Sequence, residues 1–191
     1  MVRVAVLLAP GFEEMEALAP VDLLRRANIE VDLVGLEQEV TGSHGITVRA
    51  DKMIDDSLNH YEMIVIPGGQ PGANNLKKNK QVIESLKIAY AKGNKVAAIC
   101  AGPIVLDEAE LLSDKKYISF PGTETSIHSG ERIADAIVVR DGNVLTARGA
   151  GVAYEFGLAL IDILGGDAAE ISESIQYTKL IEEWQKTSPS E

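Results

Sequence analysis

Blocks of apolar and polar residues alternate along the chain and predict strands and helices that follow one another. Five short aliphatic runs are typical of strands covered on both faces, at 2–8, 31–36, 63–66, 95–100 and 144–147. Apolar residues at helical spacing predict a helix that ends near residue 27, and further helices at 81–91, 149–164 and 168–184. Hairpins are predicted at 40–48 and around Asp141-Gly142, which lies between 136–139 and 144–147.

This alternation predicts an α/β fold, with a mostly parallel sheet covered by helices on both faces. No repeat or linker interrupts it, so we expect one domain over 1–186 and a frayed tail at 187–191. Ligands of such sheets bind at the carboxyl ends of the strands. Three abrupt loops fall at these ends: Pro10-Gly11, Pro67-Gly68-Gly69 and Cys100-Ala101-Gly102-Pro103. The sequence therefore places a functional site at this edge.

Composition and charge exclude several classes of partner. Hydrophobic residues make up 46% of the chain and charged residues 25%, which is typical of a soluble globular protein. The net charge of −11 argues against nucleic acid, and no apolar run approaches the roughly 18 residues of a membrane span. The apolar run at the N-terminus lacks a cleavage pattern, so we interpret it as a strand rather than a signal peptide. A single cysteine fits a cytoplasmic location, although an intermolecular disulfide stays open.

The cysteine, Cys100, ends one of the aliphatic runs, and two interpretations are open. An unpaired cysteine in this position is often a small buried hydrophobe. The next residues favour a reactive side chain, because Ala101 and Gly102 allow a sharp turn and Pro103 suits the first position of a helix. A nucleophile on such a turn points out of the sheet towards the positive end of the helix dipole. We therefore predict a thiol pKa below the ordinary value of about 8.5.

Two glycines are candidate partners for this cysteine. Gly68 and Gly69 follow a predicted strand, and without a Cβ their N–H groups can approach a substrate oxygen. A plain tight turn would have the same sequence, so both interpretations remain.

An acidic cluster follows the first predicted strand. Glu13, Glu14 and Glu16 would complement the dipole of a first helical turn without any catalytic role. Helical projection places Glu14 nearer the apolar face than Glu16. A regular helix that begins only at Pro20 would instead leave Glu16 on an irregular turn. The pattern alone does not choose between them.

No metal and no cofactor are predicted. The three histidines, His44, His60 and His128, are scattered, and neither HxxH nor CxxC spacing occurs. The segment that begins at Gly149 starts like a dinucleotide fingerprint, but Tyr154 replaces its third glycine.

Taken together, the motifs at this edge resemble the ThiJ/PfpI family, in the branch that contains the Parkinsonism-linked protein deglycase and its bacterial relatives. The similarity covers nearly the whole chain. It is carried by APGFEEME at 9–16, PVDLLRR at 20–26, IPGG at 66–69, AAICAGP at 97–103 and TARG at 146–149.

The resemblance implies roles and an architecture that the residues alone do not give. It implies that Cys100 is the nucleophile, that Glu16 is the acid hydrogen-bonded to it, and that the amides of Gly69 and Ala101 polarise the substrate oxygen. It also implies a flavodoxin-like three-layer sandwich, like that of class I glutamine amidotransferases. A homodimer packed partly through the first helix is the implied assembly.

Three positions depart from relatives in the family. Ala101 stands where protease-like members carry histidine, and Phe120 stands where the Parkinsonism-linked protein has histidine. His44 stands where several relatives have arginine, and it could bind or protonate a substrate oxygen or be a plain surface residue. The first two changes remove the general acid that a leaving amine needs, so we expect no protease activity.

These considerations predict a glutathione-independent glyoxalase or deglycase that acts on methylglyoxal, glyoxal or their early adducts. Cys100 and Glu16 would be catalytic, and Gly68, Gly69, Ala101 and His44 would surround the substrate. The alternative is a redox sensor or a chaperone-like stress protein, in which Cys100 is oxidised and turnover is incidental. Both hypotheses need the same two residues, so the sequence does not separate them.

Overall fold

The computed structural model describes residues 2–187, and its centre is a seven-stranded sheet in the order β10-β11-β7-β6-β1-β2-β5. Neighbouring strands are parallel except for the β10–β11 pair, which is antiparallel. Two further pairs, β3–β4 and β8–β9, lie outside this sheet. The strands are β1 (Arg3–Leu8), β2 (Glu30–Gly35), β3 (Glu39–Thr41), β4 (Thr47–Arg49), β5 (Lys52–Met53), β6 (Met63–Ile66), β7 (Lys95–Ile99), β8 (Lys116–Tyr117), β9 (Glu131–Arg132), β10 (Val138–Asp141) and β11 (Val144–Ala147).

Seven α-helices accompany the strands within the described residues, besides three 3₁₀ helices at Asp56–His60, Thr123–Ser126 and Ala150–Val152. The α-helices are α1 (Glu14–Arg26), α2 (Gly72–Lys78), α3 (Lys80–Ala91), α4 (Pro103–Glu108), α5 (Ala153–Ile163), α6 (Ala168–Ser174) and α7 (Tyr177–Thr187). The predicted strands, the hairpin at 40–48 and the β10–β11 hairpin are confirmed, with ends shifted by a residue or two. The short helix α2 was missed, because its sequence has few apolar residues at helical spacing.

Two hydrophobic cores lie on opposite faces of the sheet, as the alternation of strands and helices predicts. Successive residues of β1 point into different cores: Ala5 and Leu7 pack with α2, α3 and α4, whereas Val4 and Val6 pack with α1 and α5. This is the three-layer arrangement, with helices on both faces of a mostly parallel sheet. The central strands β1, β6 and β7 end together at the edge where the sequence places the functional loops.

The structure decides one alternative that the sequence left open and contradicts one expectation about helices. Pro20 does not begin the first helix but lies inside α1, which starts at Glu14 because the Glu13 side chain accepts a hydrogen bond from the Glu16 amide at 2.8 Å. The helix expected at 168–184 is two helices, since Gln176 adopts a left-handed φ of 63° between α6 and α7. The frayed tail was expected at 187–191, but Thr187 still belongs to α7 and 188–191 lie outside the described residues.

Membrane insertion finds no support in the helices. Across residues 2–187, none of them combines the length and the apolar character that a bilayer span requires.

Candidate active site

Cys100 lies at a strained turn at the end of β7. Its backbone φ is +63°, a left-handed conformation that is uncommon for a residue other than glycine. The turn is fixed by two hydrogen bonds, from the Cys100 N–H to the Ala147 carbonyl at 2.9 Å and from the Gly102 N–H to the Ile99 carbonyl at 2.8 Å. A Cβ on Gly102 would lie 2.6 Å from the carbonyl oxygen of Ile66, so the position requires glycine. The sharp turn predicted from the sequence is therefore present.

Glu16 is fully buried in the first turn of α1, beside this cysteine. Its Oε2 accepts a hydrogen bond from the Gly68 amide at 2.8 Å, and the backbone of Ala150 also donates to the carboxyl group. Its Oε1 has no hydrogen-bond partner in the described part of the chain, and the Cys100 thiol interacts with the carboxyl group. A buried acid beside a thiol is suited to exchange a proton with it.

Gly68 occupies the point where the site residues meet. A Cβ there would lie 2.6 Å from Glu16 Oε2, 2.7 Å from the Cys100 Cβ and 2.8 Å from the Ala101 amide nitrogen. The glycine is thus required by close approach and is more than a plain turn residue. Its own N–H is bonded to Glu16, so it is not directed at a substrate oxygen as the sequence analysis expected.

The other two amides take the expected positions. Gly69 has a left-handed φ of 83°, and the N–H groups of Gly69 and Ala101 donate hydrogen bonds to the Cys100 sulfur. Donors that hold a thiolate are also placed to hold an oxygen on a carbon bonded to that sulfur. The structure therefore brings together Cys100, Glu16, Gly68, Gly69 and Ala101.

Burial controls the protonation of Glu16. It raises the pKa of this carboxyl group from 4.5 to about 7, against the opposing effect of hydrogen bonds from Cys100, Gly68 and Ala150. The acid is therefore poised to gain or lose a proton near neutral pH, as a general acid–base group must.

The thiol behaves differently from the sequence-based expectation. Burial, the negative charge of Glu16 and a hydrogen bond to Glu16 raise the pKa of Cys100 to about 12, against the amides of Ala101 and Gly69, which lower it. Two of these three causes require an ionised Glu16, so they vanish when Glu16 carries the proton. The pair therefore shares one negative charge, and thiolate forms as the proton passes to Glu16. Helix α4 has only six residues, which limits the dipole effect that the sequence suggested.

His44 lies on a neighbouring loop and pairs with a different glutamate. Its Nδ1 is 2.9 Å from Glu14 Oε2, its backbone N–H donates to Glu14 Oε1 at 2.8 Å, and its side chain is 71% exposed. Burial raises the pKa of Glu14, but hydrogen bonds from the side chain and backbone of His44 outweigh it, so the pKa is lowered. In turn, Glu14 raises the pKa of His44. The structure thus groups His44 with Glu14 and not with the cysteine.

One set of side chains has the donors that a metal ion would need. Glu13, Glu14 and His44 each offer a ligand atom, and these atoms lie within 4.8 Å of one another. This set has no signal in the sequence, because the histidine lies 30 residues from its glutamate partner. These donors already bond to one another or to backbone amides, so the geometry alone does not argue for an ion.

The sequence pattern of the DJ-1/PfpI family matches residues 2–163. The chain belongs to the DJ-1/PfpI family. This is the family that the sequence motifs resemble.

Individual relatives agree with this assignment. The Parkinson disease protein 7 homolog of zebrafish is 34% identical over 95% of this chain and 98% of its own length. A protein of Pyrococcus abyssi that bears the name deglycase is 32% identical over 85% of this chain and 99% of its own length. The solved structure of oxidized Toxoplasma gondii DJ-1 has a TM-score of 0.86 and 35% identity, covering 92% of this chain and 98% of that one. The flavodoxin-like architecture is thereby confirmed.

Proposed function

We propose that the protein is a glutathione-independent glyoxalase or deglycase that acts on methylglyoxal-type aldehydes or their early adducts. The observation that carries this proposal is the fully buried Glu16, whose pKa is raised to about 7 and whose carboxyl group lies beside the Cys100 thiol. Such a pair supplies a nucleophile and a proton carrier in one place. A relative that bears the name deglycase supports the same direction.

The first step is addition of the Cys100 sulfur to the aldehyde carbon. Ionised Glu16 takes the thiol proton as the carbon–sulfur bond forms, and it returns this proton to the aldehyde oxygen. The product is a hemithioacetal. The oxygen carries negative charge during the addition, and the amides of Gly69 and Ala101 stabilise it there.

The second step moves a proton between neighbouring carbons of the bound aldehyde. Glu16 removes the proton from the carbon bonded to sulfur and delivers it to the adjacent carbon, while the hydroxyl proton moves from the first oxygen to the neighbouring one; this leaves a thioester of a 2-hydroxy acid. Water then hydrolyses the thioester, releasing the hydroxy acid and restoring the Cys100 thiol. The sequence of steps is an internal oxidation and reduction of the substrate plus one water, so it needs no cofactor.

A steady-state assay tests this proposal. Cys100→Ser and Glu16→Gln should each abolish formation of lactate from methylglyoxal, with a loss on the order of 10²- to 10⁴-fold for the proton carrier. Glu14→Gln is the matched control and should stay within a few-fold of wild type, because Glu14 bonds to the His44 loop. Wild-type turnover that survives in Cys100→Ser would refute the proposal.

Peptide hydrolysis is not part of the proposed function. Neither Ala101 nor Phe120 carries the imidazole that relatives have at these positions. An amine leaving group therefore has no obvious proton donor there. We expect no cysteine-dependent cleavage of casein or of fluorogenic peptides by the pure protein. Robust cleavage that Cys100→Ser removes would contradict this view.

A second candidate function is redox sensing, with or without chaperone-like activity. It is favoured by a specific comparison, since a similar solved structure is that of an oxidized DJ-1. Peroxide would transfer one oxygen to the Cys100 thiolate with release of water, and a second equivalent would give the sulfinate. Intact-mass titration with peroxide separates the two functions. Oxidation at stoichiometric peroxide together with no aldehyde turnover would favour the sensor.

We also propose that two copies pair through α1, as the resemblance implies. Three large apolar side chains, Met15, Ile46 and Tyr154, are at least half exposed and line one groove of about 370 Å³ beside this helix. Met15→Asp should shift the wild-type dimer to monomer in sedimentation, whereas Met53→Asp on β5 should not. A monomeric wild type would refute the pairing.

A reducing compartment suits a free nucleophilic thiol, so we propose the cytoplasm as the location of the protein. Cell fractionation that finds the protein outside the cytoplasm would refute this assignment.

A further inference from the structure

Phe120 is the large apolar side chain attached to the Cys100 turn. Its backbone N–H donates a hydrogen bond to the Cys100 carbonyl at 2.9 Å, which fixes the residue beside the nucleophile. The preceding residue, Ser119, is fully buried, yet the Phe120 side chain is 52% exposed. Among the described residues with exposed large apolar side chains, Phe120 is the one whose backbone binds Cys100.

The ring extends from the cysteine turn to the loop that supports Glu16. A Cβ on Gly149 would lie 3.1 Å from the Phe120 ring, so the ring packs directly on that backbone. The next residue, Ala150, donates a backbone hydrogen bond to Glu16. Phe120 therefore contacts the backbone of both Cys100 and Gly149.

Apart from Glu16, the residues that surround the thiol have little or no side chain. Gly68 and Gly69 have none, and Ala101 has only a methyl group. A substituent on a bound aldehyde therefore finds small residues near the sulfur and one half-exposed aromatic face beside them. Contact with that face removes apolar surface of both partners from water, which favours apolar and aromatic substituents.

We propose that Phe120 determines the substrate specificity of the Cys100 site, by providing the apolar surface on which the substituent of a 2-oxoaldehyde packs. The preferred substrates are 2-oxoaldehydes with an apolar or aromatic substituent, and glyoxal, whose substituent is hydrogen, is the poorer one. This proposal rests on the aldehyde chemistry proposed above and adds the substrate class to it.

The turnover experiment compares phenylglyoxal, methylglyoxal and glyoxal with wild type and Phe120→Ala. The ratio of kcat/KM for phenylglyoxal to that for glyoxal should fall about tenfold in Phe120→Ala, the scale of a small apolar contact in a pocket. Phe120→Leu keeps an apolar surface and should retain an intermediate ratio. Ile88→Ala, an exposed apolar residue on α3, is the matched control and should leave the ratio unchanged.

A second measurement keeps the proposal testable if wild type turns over no aldehyde. The rate of Cys100 alkylation is compared for iodoacetamide and for its N-phenyl analogue, whose ring needs the same apolar surface. The ratio of the alkylation rate with the phenyl reagent to the rate with iodoacetamide should be about tenfold higher for wild type than for Phe120→Ala. Ile88→Ala should have the same ratio as wild type. If the protein turns over no aldehyde but shows this alkylation preference, the glyoxalase function is refuted and the role of Phe120 stands. Alkylation ratios that agree within twofold between wild type and Phe120→Ala would overturn the proposal.

Discussion

Replacement of Glu16 by glutamine should make the protein more stable at alkaline pH while it removes activity. Glu16 is fully buried, and its pKa in the folded chain is raised from 4.5 to about 7. Above that pH the folded protein must hold a buried carboxylate, whereas the unfolded chain holds a solvated one. Glutamine has nearly the same shape and carries no charge, so it avoids this cost.

The size and the sign of the effect follow from the pKa. Between pH 4.5 and 7 the folded protein binds more protons at Glu16 than the unfolded chain does, so wild-type stability falls as the pH rises through this window. The shift corresponds to about 3 kcal/mol at ~1.36 kcal/mol per pKa unit. We expect Glu16→Gln to match wild type near pH 4.5 and to exceed it by up to about 3 kcal/mol near pH 8.

Urea unfolding of both proteins at several pH values measures this difference. Glu14→Gln is the matched control, and its effect on the free energy of unfolding should have the opposite sign. Its carboxylate is held in the charged form by His44, so this variant should lose stability at neutral pH, and the loss should fade on acidification. A Glu16→Gln protein that is no more stable than wild type near pH 8 would show that the Glu16 charge costs the fold nothing.

Three further predictions follow from the same site. Glu16→Gln should lower the pKa of the Cys100 thiol, because the charge of Glu16 is one of its causes, and an unchanged pH profile of alkylation would argue against this. Aldehyde turnover should rise as the pH increases through about 7, where Glu16 loses its proton and becomes a base; kcat/KM that is flat across this range would exclude Glu16 from that role. Gly68→Ala should destabilise the protein by about 1–3 kcal/mol and slow turnover, since its Cβ would meet both catalytic residues. A Cβ on Gly151 would lie in open space, so Gly151→Ala should change neither stability nor turnover.

The fold could be predicted from the sequence because each core strand is a short, uninterrupted aliphatic run. Strands β1, β6 and β7 lie at the centre of the sheet and are buried along nearly their whole length, so their composition alone marks them. By contrast, the composition of the sequence does not indicate the break between α6 and α7 at Gln176. A left-handed residue other than glycine has no sequence signature, and the flanking residues all suit a helix.

The choice between Glu14 and Glu16 shows where pattern analysis reaches its limit. Projection on an ideal helix favoured Glu14 as the inward residue, and both side chains prove to be buried. They differ in their partners, since Glu14 binds the His44 loop and Glu16 binds the Gly68 amide. Those partners are 30 and 52 residues away, and helical periodicity contains no information about them. The pairing of Glu16 with Cys100 was an implication of the motif resemblance and not of the periodicity.

The direction of the Cys100 pKa could not be obtained from local sequence either. A turn before a helix suggested a lowered value, but the burial of the sulfur and the charge of Glu16 depend on segments distant in the chain. Only the assembled site shows that the two groups share one charge.

The meeting of distant segments at Gly68 has a consequence for how the protein matures. The hydrogen bond from Gly68 to Glu16 spans 52 residues, and Cys100 joins them from the end of a third strand. Contacts of such long range form late, because closing the intervening loops costs chain entropy that only the assembled sheet offsets. A chain still folding therefore carries an ordinary, solvated thiol without its acid partner. A return of the Cys100 thiol to its ordinary pKa would therefore report that the centre of the sheet has opened.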